Sequence, residues 1–244
     1  MSKDYTIVAI SNKIPTQAYY CWNECFESFK RKGEDIMLLG MDGSYNGSLI
    51  ERPRYMYNVL KEGKVKTTNI LYMDCWDLVL AGSLDEIFEK HKNNNSDITI
   101  SAERNCFPND FKDKFDELAP QNTSYKYLNC GVIVGSTEAL LAILEDMDAA
   151  NLPADTYHPE NGWHYPNEQI EFQKSFLKQP VKIALDYSQD ITWCLHDVGV
   201  NELGYAQGRM YNNETLKFPS ICHFNGGAKT SGVREPILNH LKLT

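Results

Sequence analysis

The sequence contains no long hydrophobic stretch. Hydrophobic residues make up 42% of its 244 positions, but no apolar run approaches the roughly 18 residues that a membrane-spanning helix requires. The first residues are polar and charged, and an alternating apolar segment follows at once, so we expect no signal peptide. These features predict a globular protein with no membrane partner.

The sequence also lacks Cys-x-x-Cys pairs, although it has seven cysteines, an odd number. This pattern does not indicate a disulfide framework. It favours reduced thiols, and therefore a cytoplasmic or other reducing compartment. A zinc site that combines Cys222 with His223 would lack the usual ligand spacing.

The sequence has fewer basic than acidic residues. The 24 Lys and Arg residues face 33 Asp and Glu residues, which gives a formal net charge of -9. A protein that binds nucleic acid through many phosphate contacts needs a basic surface, so this balance argues against non-specific nucleic-acid binding. Because there is no internal repeat, low-complexity tract or linker, we expect residues 1–244 to form a single domain.

Segments with strand-like and helix-like periodicity alternate in the first half of the chain. The strands are expected at Tyr5–Ile10, Asp35–Leu39, Asn69–Met73 and Asp97–Ala102, and the helices at Gln17–Lys32, Arg54–Lys61 and Ser83–His91. This alternation predicts an α/β fold with a mainly parallel sheet and helices on both faces. Ligands of such folds gather beyond the carboxyl ends of the strands, so functional residues are expected in the loops that follow strands.

The later part of the chain is less regular. Residues between Cys106 and Tyr125 are polar and aromatic without a clear period, which indicates a loop over a site. A strand is expected over Tyr127–Val134, bent at Asn129 and Gly131, with helices over 137–148 and 168–177. Beyond these we expect only short strands and loops.

Two carboxylates, Asp74 and Asp77, stand where an apolar strand ends, in residues 71–80 (LYMDCWDLVL). Carboxylate oxygens suit Mg²⁺ or Mn²⁺, and such a metal can bridge a diphosphate and stabilise it as a leaving group. An isolated Asp-x-x-Asp is more often a surface turn with two solvated acids. The metal hypothesis therefore needs further residues.

Residues 221–229 (ICHFNGGAK) supply them, because they place a His, a glycine turn and a Lys after another apolar strand. His223 can complete the ligand set of a metal, and the glycines let the backbone approach a phosphate. Lys229 supplies a countercharge. A lone His in this position would more often be a structural hydrogen-bonding residue.

Taken together, these segments resemble the GT-A glycosyltransferases, and most closely the glycosyltransferase domain of the procollagen lysyl hydroxylase family. The matching stretches occur in order along the chain, at residues 72–83 (YMDCWDLVLAGS), 101–108 (SAERNCFP), 127–131 (YLNCG) and 223–229 (HFNGGAK). The His-x-x-Gly-x-x-Lys arrangement is also similar to that of glycogenin-type transferases. The resemblance implies the GT-A, Rossmann-like fold and a UDP-sugar donor.

The resemblance also implies roles for individual residues. Asp74 and Asp77 become the acidic metal motif, and His223 becomes the third protein ligand of Mn²⁺, with Mg²⁺ as the alternative metal. Lys229 and the turn at Gly226 would meet the diphosphate of the donor.

Three residues are expected around the uracil base. Tyr45, in a Gly-rich turn, matches an aromatic position that stacks on uracil in the family, where it is usually Trp, and a Tyr ring can also stack. Ser11 and Asn12 end the first strand and would lie beside the base. A tyrosine that only caps the turn, and a loop that is polar by default, would explain the same residues.

Asn129 and Glu168 are expected near the donor sugar. Asn129 lies in Leu-Asn-Cys-Gly, where the family has Leu-Asn-Ser-Gly. Glu168 lies in Pro-Asn-Glu-Gln, where the family has Asp-Asp-Gln, so it is the candidate acid at the sugar and the acceptor hydroxyl, although Asn167 replaces one acid. Without the resemblance, Asn129 would be a residue that turns a strand and Glu168 a first-turn helix acid.

The acceptor is expected to be a hydroxyl group on an extended polymer. Two long segments, Glu103–Tyr125 and Ala149–Pro166, should border the donor sugar, and loops of this length are usually functional or disordered. Trp163, His164 and Tyr165 are expected to line an acceptor groove. A lid that only excludes water is the alternative.

The resemblance implies that a hexose, glucose or galactose, passes to hydroxylysine of a collagen-like protein. A hydroxymethylpyrimidine base in DNA is a second acceptor, which the net negative charge disfavours. The relatives carry hydroxylase domains, but this chain has no recognisable iron site, so we expect a transferase alone. A catalytically silent UDP-sugar-binding protein is an alternative of another class, and the joint presence of the acidic pair, His223 and Lys229 argues against it.

Overall fold

The computed structural model describes residues 3–154, 156–158 and 163–243, and for 156–158 and 163–165 it describes the backbone only. The strands are β1 (Tyr5–Ile10), β2 (Ile36–Leu39), β3 (Asn69–Met73), β4 (Leu78–Leu80), β5 (Ile98–Glu103), β6 (Tyr127–Ser136), β7 (Thr156–His158), β8 (Trp163–Tyr165), β9 (Ile183–Asp186), β10 (Thr192–Cys194), β11 (Leu203–Ala206), β12 (Arg209–Asn212) and β13 (Ile221–His223). The α-helices are α1 (Trp22–Arg31), α2 (Glu51–Lys61), α3 (Leu84–Asn93), α4 (Lys112–Leu118), α5 (Thr137–Asp146), α6 (Glu168–Lys178) and α7 (Arg234–Leu241).

A six-stranded mixed sheet forms the centre, in the order β2-β1-β3-β6-β5-β9. Strand β6 runs antiparallel to both of its neighbours, and the other pairings are parallel. The predicted α/β fold with a mainly parallel sheet is therefore confirmed. Short hairpins form from β7 with β8 and from β11 with β12.

Helices cover both faces of this sheet. Alternate residues of β1 contribute to two separate buried clusters, with Val8 in one and Ile7 in the other. Phe29 of α1 packs on the Ile7 side, and Met56 of α2 and Phe172 of α6 pack on the Val8 side. Strands that are buried on both faces read as continuous apolar runs, as β1 and β3 do.

A smaller sheet, in the order β10-β13-β4, brings two segments that are far apart in sequence together. Strand β4 pairs antiparallel with β13, and His223 lies opposite Leu78 in this register. The backbone N–H of Phe224 also donates to the carbonyl of Asp77 at 2.6 Å. The C-terminal motif is therefore fixed beside the Asp-x-x-Asp segment by backbone pairing.

Strand β6 has the predicted bend. Its register with β5 shifts between Ile100 and Ser101, which lie opposite Ile133 and Asn129. The intervening residues form a bulge, and the carbonyl of Gly131 accepts a hydrogen bond from the backbone N–H of Asp74 at 2.8 Å. The bulge thus lies directly beside the first carboxylate.

Several element boundaries differ from the expected ones. Helix α1 begins at Trp22 rather than Gln17, because the backbone N–H of Cys21 donates to the carbonyl of Trp76. Helix α2 begins at Glu51 rather than Arg54, since Pro53 is tolerated in a first turn, where its missing N–H is not needed. Expectations of only loops were wrong in two places, the segments that form α4 and α7.

Both unexpected helices bury apolar residues. In α4, Phe115 is buried and stacks on Phe176 with ring centroids 5.4 Å apart. In α7, Ile237 and Leu238 are buried in the larger core cluster. Tertiary packing therefore stabilises two short helices whose sequences have little periodicity of their own.

All seven cysteines are free thiols, and six of them are buried. Within the described part of the chain, no helix combines the length and the apolar character that crossing a membrane would need.

Candidate active site

Asp74, Asp77 and His223 come together at the carboxyl ends of β3 and β13. Nε2 of His223 lies 3.4 Å from Oδ1 of Asp77 and 3.6 Å from Oδ2 of Asp74. One ligand atom from each residue can be chosen so that all three lie within 4.8 Å of one another. The three residues that the sequence analysis proposed as metal ligands are thus neighbours in space.

The chemistry of this cluster fits a divalent cation. Both ring nitrogens of His223 are buried without a hydrogen-bond partner among the described residues. A buried polar atom without a partner is costly, and a cation between the imidazole and the two carboxylates would satisfy Nε2, the nitrogen that faces both carboxylates. The donor set of one nitrogen and two carboxylates suits Mn²⁺.

Electrostatic interactions within the cluster are strong. Burial raises the pKa of Asp77, but the charges of His223 and Lys229 outweigh burial and hold the pKa below its usual range. Burial lowers the pKa of His223, and Asp77 and then Asp74 outweigh that effect and raise it. The carboxylate of Asp77 is therefore held in its ionised form.

The loop after β13 carries Lys229 and Gly226 to the same site. Nζ of Lys229 lies 2.6 Å from Oδ2 of Asp77. Gly226 has a φ of 52°, and a β-carbon there would collide with the ring of His196. Glycine is therefore required at this position by the backbone conformation and by the close approach of His196.

Arg52, in the first turn of α2, was missed by the sequence analysis. Its Nη2 pairs with Oδ1 of Asp74, and its Nη1 lies 2.8 Å from Oε1 of Glu168. The guanidinium group is nearly fully buried between these two carboxylates. A residue in a helical first turn gives no sequence signal for such a contact.

Glu168 is the first residue of α6, as predicted. Asn167 caps this helix, because its side-chain oxygen accepts from the backbone N–H of Ile170 at 3.3 Å. The residue that replaces a family acid therefore has a structural task of its own. Burial raises the pKa of Glu168 to about 8, against the opposing charge of Arg52.

Asn129 belongs to a buried amide network around Glu103. Its Nδ2 donates to Oε1 of Glu103 at 2.9 Å, and its Oδ1 accepts from the backbone N–H of Gly131 at 3.0 Å. Gln169 and Asn225 donate to Glu103 from two other segments, at 3.2 and 2.8 Å. Burial raises the pKa of Glu103 to about 7, and these amide donors oppose the rise.

Glu103, Gln169 and Asn225 were not proposed as site residues from the sequence. Glu103 stands at the carboxyl end of β5, where the strand-end rule would have pointed to it. Asn225 lies inside the motif between His223 and Lys229. Nothing in the sequence indicates that three amides from three segments converge on one carboxylate.

The residues expected around the base form a pocket of about 470 Å³. Ser11, Asn12 and Tyr45 all line it, together with Trp76. Nε1 of Trp76 donates to Oγ of Ser11 at 2.9 Å, and Nδ2 of Asn12 donates to the carbonyl of Asn46 at 3.2 Å. The hydroxyl of Tyr45 donates to the carbonyl of Ser48 at 2.6 Å, which fixes the ring in the turn.

A second pocket, of about 550 Å³, adjoins the first. The residues that line both pockets are Leu49, Arg52, Asp74, Asp77 and Lys229. Asn129, Glu168 and His223 line only the second, as do Asn105, Cys106 and Phe107 from the long segment after β5. The side chains of Trp163, His164 and Tyr165 lie outside the described residues. The two pockets form one cleft, with the carboxylate pair at its middle.

Comparison with known proteins identifies the family. The model of the PLOD GT domain matches residues 3–241. Procollagen-lysine,2-oxoglutarate 5-dioxygenase of Drosophila melanogaster is 27% identical over 212 residues, which are 80% of this chain and 27% of that protein. Procollagen-lysine,2-oxoglutarate 5-dioxygenase 1 of Mus musculus is 23% identical over 227 residues, covering 84% of this chain and 29% of that protein. The chain thus spans less than a third of the length of these relatives.

Solved structures show the same fold at low identity. A glycosyltransferase involved in the glycosylation of the major capsid of PBCV-1 covers 98% of this chain and 99% of its own, with a TM-score of 0.53 and 16% identity. Mouse xyloside xylosyltransferase 1 covers 92% of this chain and 98% of its own, with a TM-score of 0.51 and 13% identity. From the family match and this fold, the chain belongs to the PLOD GT domain family of GT-A glycosyltransferases.

Proposed function

We propose that this protein transfers a hexose, glucose or galactose, from a UDP-sugar to a hydroxyl group of a polymer, with Mn²⁺ as its metal. The observation that carries the proposal is the meeting of two pockets at Asp74 and Asp77. A nucleotide-sugar needs such a cleft, since its base, diphosphate and sugar occupy successive positions. We also propose that residues 1–244 act as one transferase domain.

The first pocket would bind the nucleoside. The ring of Tyr45 offers an aromatic face for uracil, and Ser11 and Asn12 offer polar groups at its edge. Trp76 adds a second aromatic ring to this pocket. The aromatic rings therefore suit the flat face of the base, and the polar residues suit its edge.

The middle of the cleft would hold the diphosphate. Asp74, Asp77 and His223 are the residues that would hold Mn²⁺, and a bound cation there would neutralise charge on the leaving diphosphate. Lys229 brings a second positive charge, which Asp77 orients at 2.6 Å. The glycines after His223 have no side chains, so a phosphate can approach the backbone there.

The second pocket would hold the sugar and the acceptor hydroxyl. Glu168 would accept the proton of that hydroxyl, for which its raised pKa of about 8 suits it near neutral pH. Both polar atoms of the Asn129 amide are engaged, so we propose that Asn129 orients Glu103 and the bulge at the sugar side.

The acceptor proposal is hydroxylysine of a collagen-like protein. Its support is the family together with the names of the relatives, which are procollagen-lysine dioxygenases. The polymer would approach from the side of Cys106 and Phe107, which line the sugar half of the cleft.

The test is a panel of UDP-hexoses with Mn²⁺, scored by UDP release with and without acceptor. Wild-type protein should release UDP slowly in water alone and faster with acceptor. Asp77→Asn should lower turnover by about a hundredfold, the scale expected for losing a preorganised electrostatic contact. Asp113→Asn, an exposed acid on α4, is the matched control. No UDP release with any donor, despite tight UDP binding, would identify a silent sugar-nucleotide-binding protein instead.

A further inference from the structure

Arg52 lies at the boundary between the two halves of the cleft and lines both pockets. One arm of its guanidinium group pairs with Oδ1 of Asp74, and the other lies 2.8 Å from Oε1 of Glu168. The guanidinium group is planar and rigid, so its two arms hold their partners in a fixed relation. Arg52 therefore connects a candidate metal ligand to the candidate acid.

The contact leaves the metal cluster intact. Arg52 occupies Oδ1 of Asp74, whereas Oδ2 faces His223 at 3.6 Å. Asp74 thus divides its two oxygens between the cluster and Arg52. Nε of Arg52 is buried and has no hydrogen-bond partner among the described residues.

Stability alone does not explain this arrangement. A buried charged triad usually gains little over an apolar packing of the same volume, because all of its charges must be desolvated. Here the triad lies at the wall of a cleft, and all three of its residues line the sugar half. A role in orienting these groups accounts for both facts.

We propose that Arg52 is a positioning residue that fixes the Glu168 carboxylate beside the donor sugar and couples it to Asp74. This inference rests on the proposed function, because that function assigns Glu168 to the sugar end of the cleft. Its consequence is that Arg52 and Glu168 act as one unit. Removing either residue disables the pair.

A double-mutant cycle tests the unit. Arg52→Gln and Glu168→Gln should each lower kcat for sugar transfer by about a hundredfold, the scale of one lost preorganised contact. The double variant should be no slower than the slower single variant, since the second change removes nothing further. Arg52→Lys should recover part of kcat, because Lys can reach one carboxylate but not hold both. Losses that multiply in the double variant would overturn the proposal.

The affinity for Mn²⁺ distinguishes a residue that positions Glu168 from a residue that builds the metal site. Arg52→Gln removes a cation next to Asp74, so Mn²⁺ titrated into nucleotide-free protein and followed by electron paramagnetic resonance should bind as tightly as before or more tightly. A tenfold loss of Mn²⁺ affinity would show that Arg52 builds the cluster instead. Arg54→Gln is the matched control on the same helix, because Arg54 pairs with Glu51 and does not line the cleft.

Two measurements keep the inference separate from the proposed function. If Arg52→Gln unfolds because the buried Glu168 and the partly exposed Asp74 lose their partner, the double variant, which also removes the charge of Glu168, remains to be measured. If wild-type protein turns over no UDP-sugar, the proposed function fails, but a crystal structure of Arg52→Gln still decides. A Glu168 carboxylate that keeps its position there would refute the positioning role.

Discussion

Gly131 lies so close to His223 that a β-carbon at Gly131 would collide with Cε1 of the imidazole ring. The same β-carbon would lie 2.8 Å from Oδ2 of Asp74 and 3.0 Å from Oδ1 of Asn129. The bulge in β6 therefore packs directly against the carboxylate–imidazole cluster, and only glycine at position 131 leaves room for the imidazole ring. The backbone of one strand sets the geometry of side chains from two others.

Gly131→Ala should displace the His223 ring and weaken Mn²⁺ binding at least tenfold, with a matching loss of turnover, because the ring cannot keep its distance from both carboxylates. Mn²⁺ titration followed by electron paramagnetic resonance measures the metal affinity, and UDP release measures the turnover. Gly232→Ala is the control, since its β-carbon would meet only Cγ2 of the exposed Val200, at 3.3 Å. Unchanged metal affinity in Gly131→Ala would contradict the fit of the cluster to a cation.

Tyr45→Ala should weaken UDP binding by about 1 to 3 kcal/mol, the usual value of a base-stacking contact. Tyr45→Phe should bind UDP with nearly wild-type affinity, because it keeps the ring and loses only the hydrogen bond to Ser48. Isothermal titration with UDP and GDP measures both, and UDP should be preferred. Equal affinity of wild type and Tyr45→Ala would contradict the stacking role of Tyr45.

The sequence predicted those parts of the site that lie at strand ends. Asp74 and Asp77 follow an apolar strand and His223 ends another, so the strand-end rule indicates each of them as a site residue. They meet because β13 pairs with β4 in the smaller sheet, a contact between residues far apart in sequence. The family resemblance implied that the three residues share one metal, but no local pattern indicated the strand pairing that brings them together.

Other parts could not be predicted, because they depend on packing. Arg52 is one polar residue in the first turn of a helix, and its partners come from segments 22 and 116 residues away in sequence. The network around Glu103 needs amides from three segments. Helix α4 was missed because its stability comes from Phe115 packing on Phe176 rather than from an amphipathic pattern.

The pH dependence of transfer should report Glu168. Its pKa is raised from the ordinary carboxyl value to about 8 by burial, so the ionised form, which can accept a proton, grows as pH rises towards 8. We expect kcat/KM at saturating Mn²⁺ to rise about tenfold per pH unit below that value and to level off above it. Glu168→Gln should be slow, and its kcat/KM should no longer rise with pH below 8. A rise that persists in Glu168→Gln would point to another group, such as Glu103, whose pKa is raised to about 7.

The acceptor prediction is that hydroxylysine in a collagen-like peptide receives the hexose and that hydroxymethylated DNA does not. The net charge of -9 repels a polyanion. A hydroxylysine side chain carries a cationic amine beside its hydroxyl, which suits a protein with a negative net charge. Mass spectrometry after incubation with UDP-glucose or UDP-galactose and Mn²⁺ should detect a hexose on the peptide, with the unhydroxylated lysine peptide as the control. Raising the salt concentration should weaken peptide use, because the attraction between opposite charges is screened. Addition of hexose to DNA at a comparable rate, or readily to free monosaccharides but to neither polymer, would show that this assignment of the acceptor is wrong.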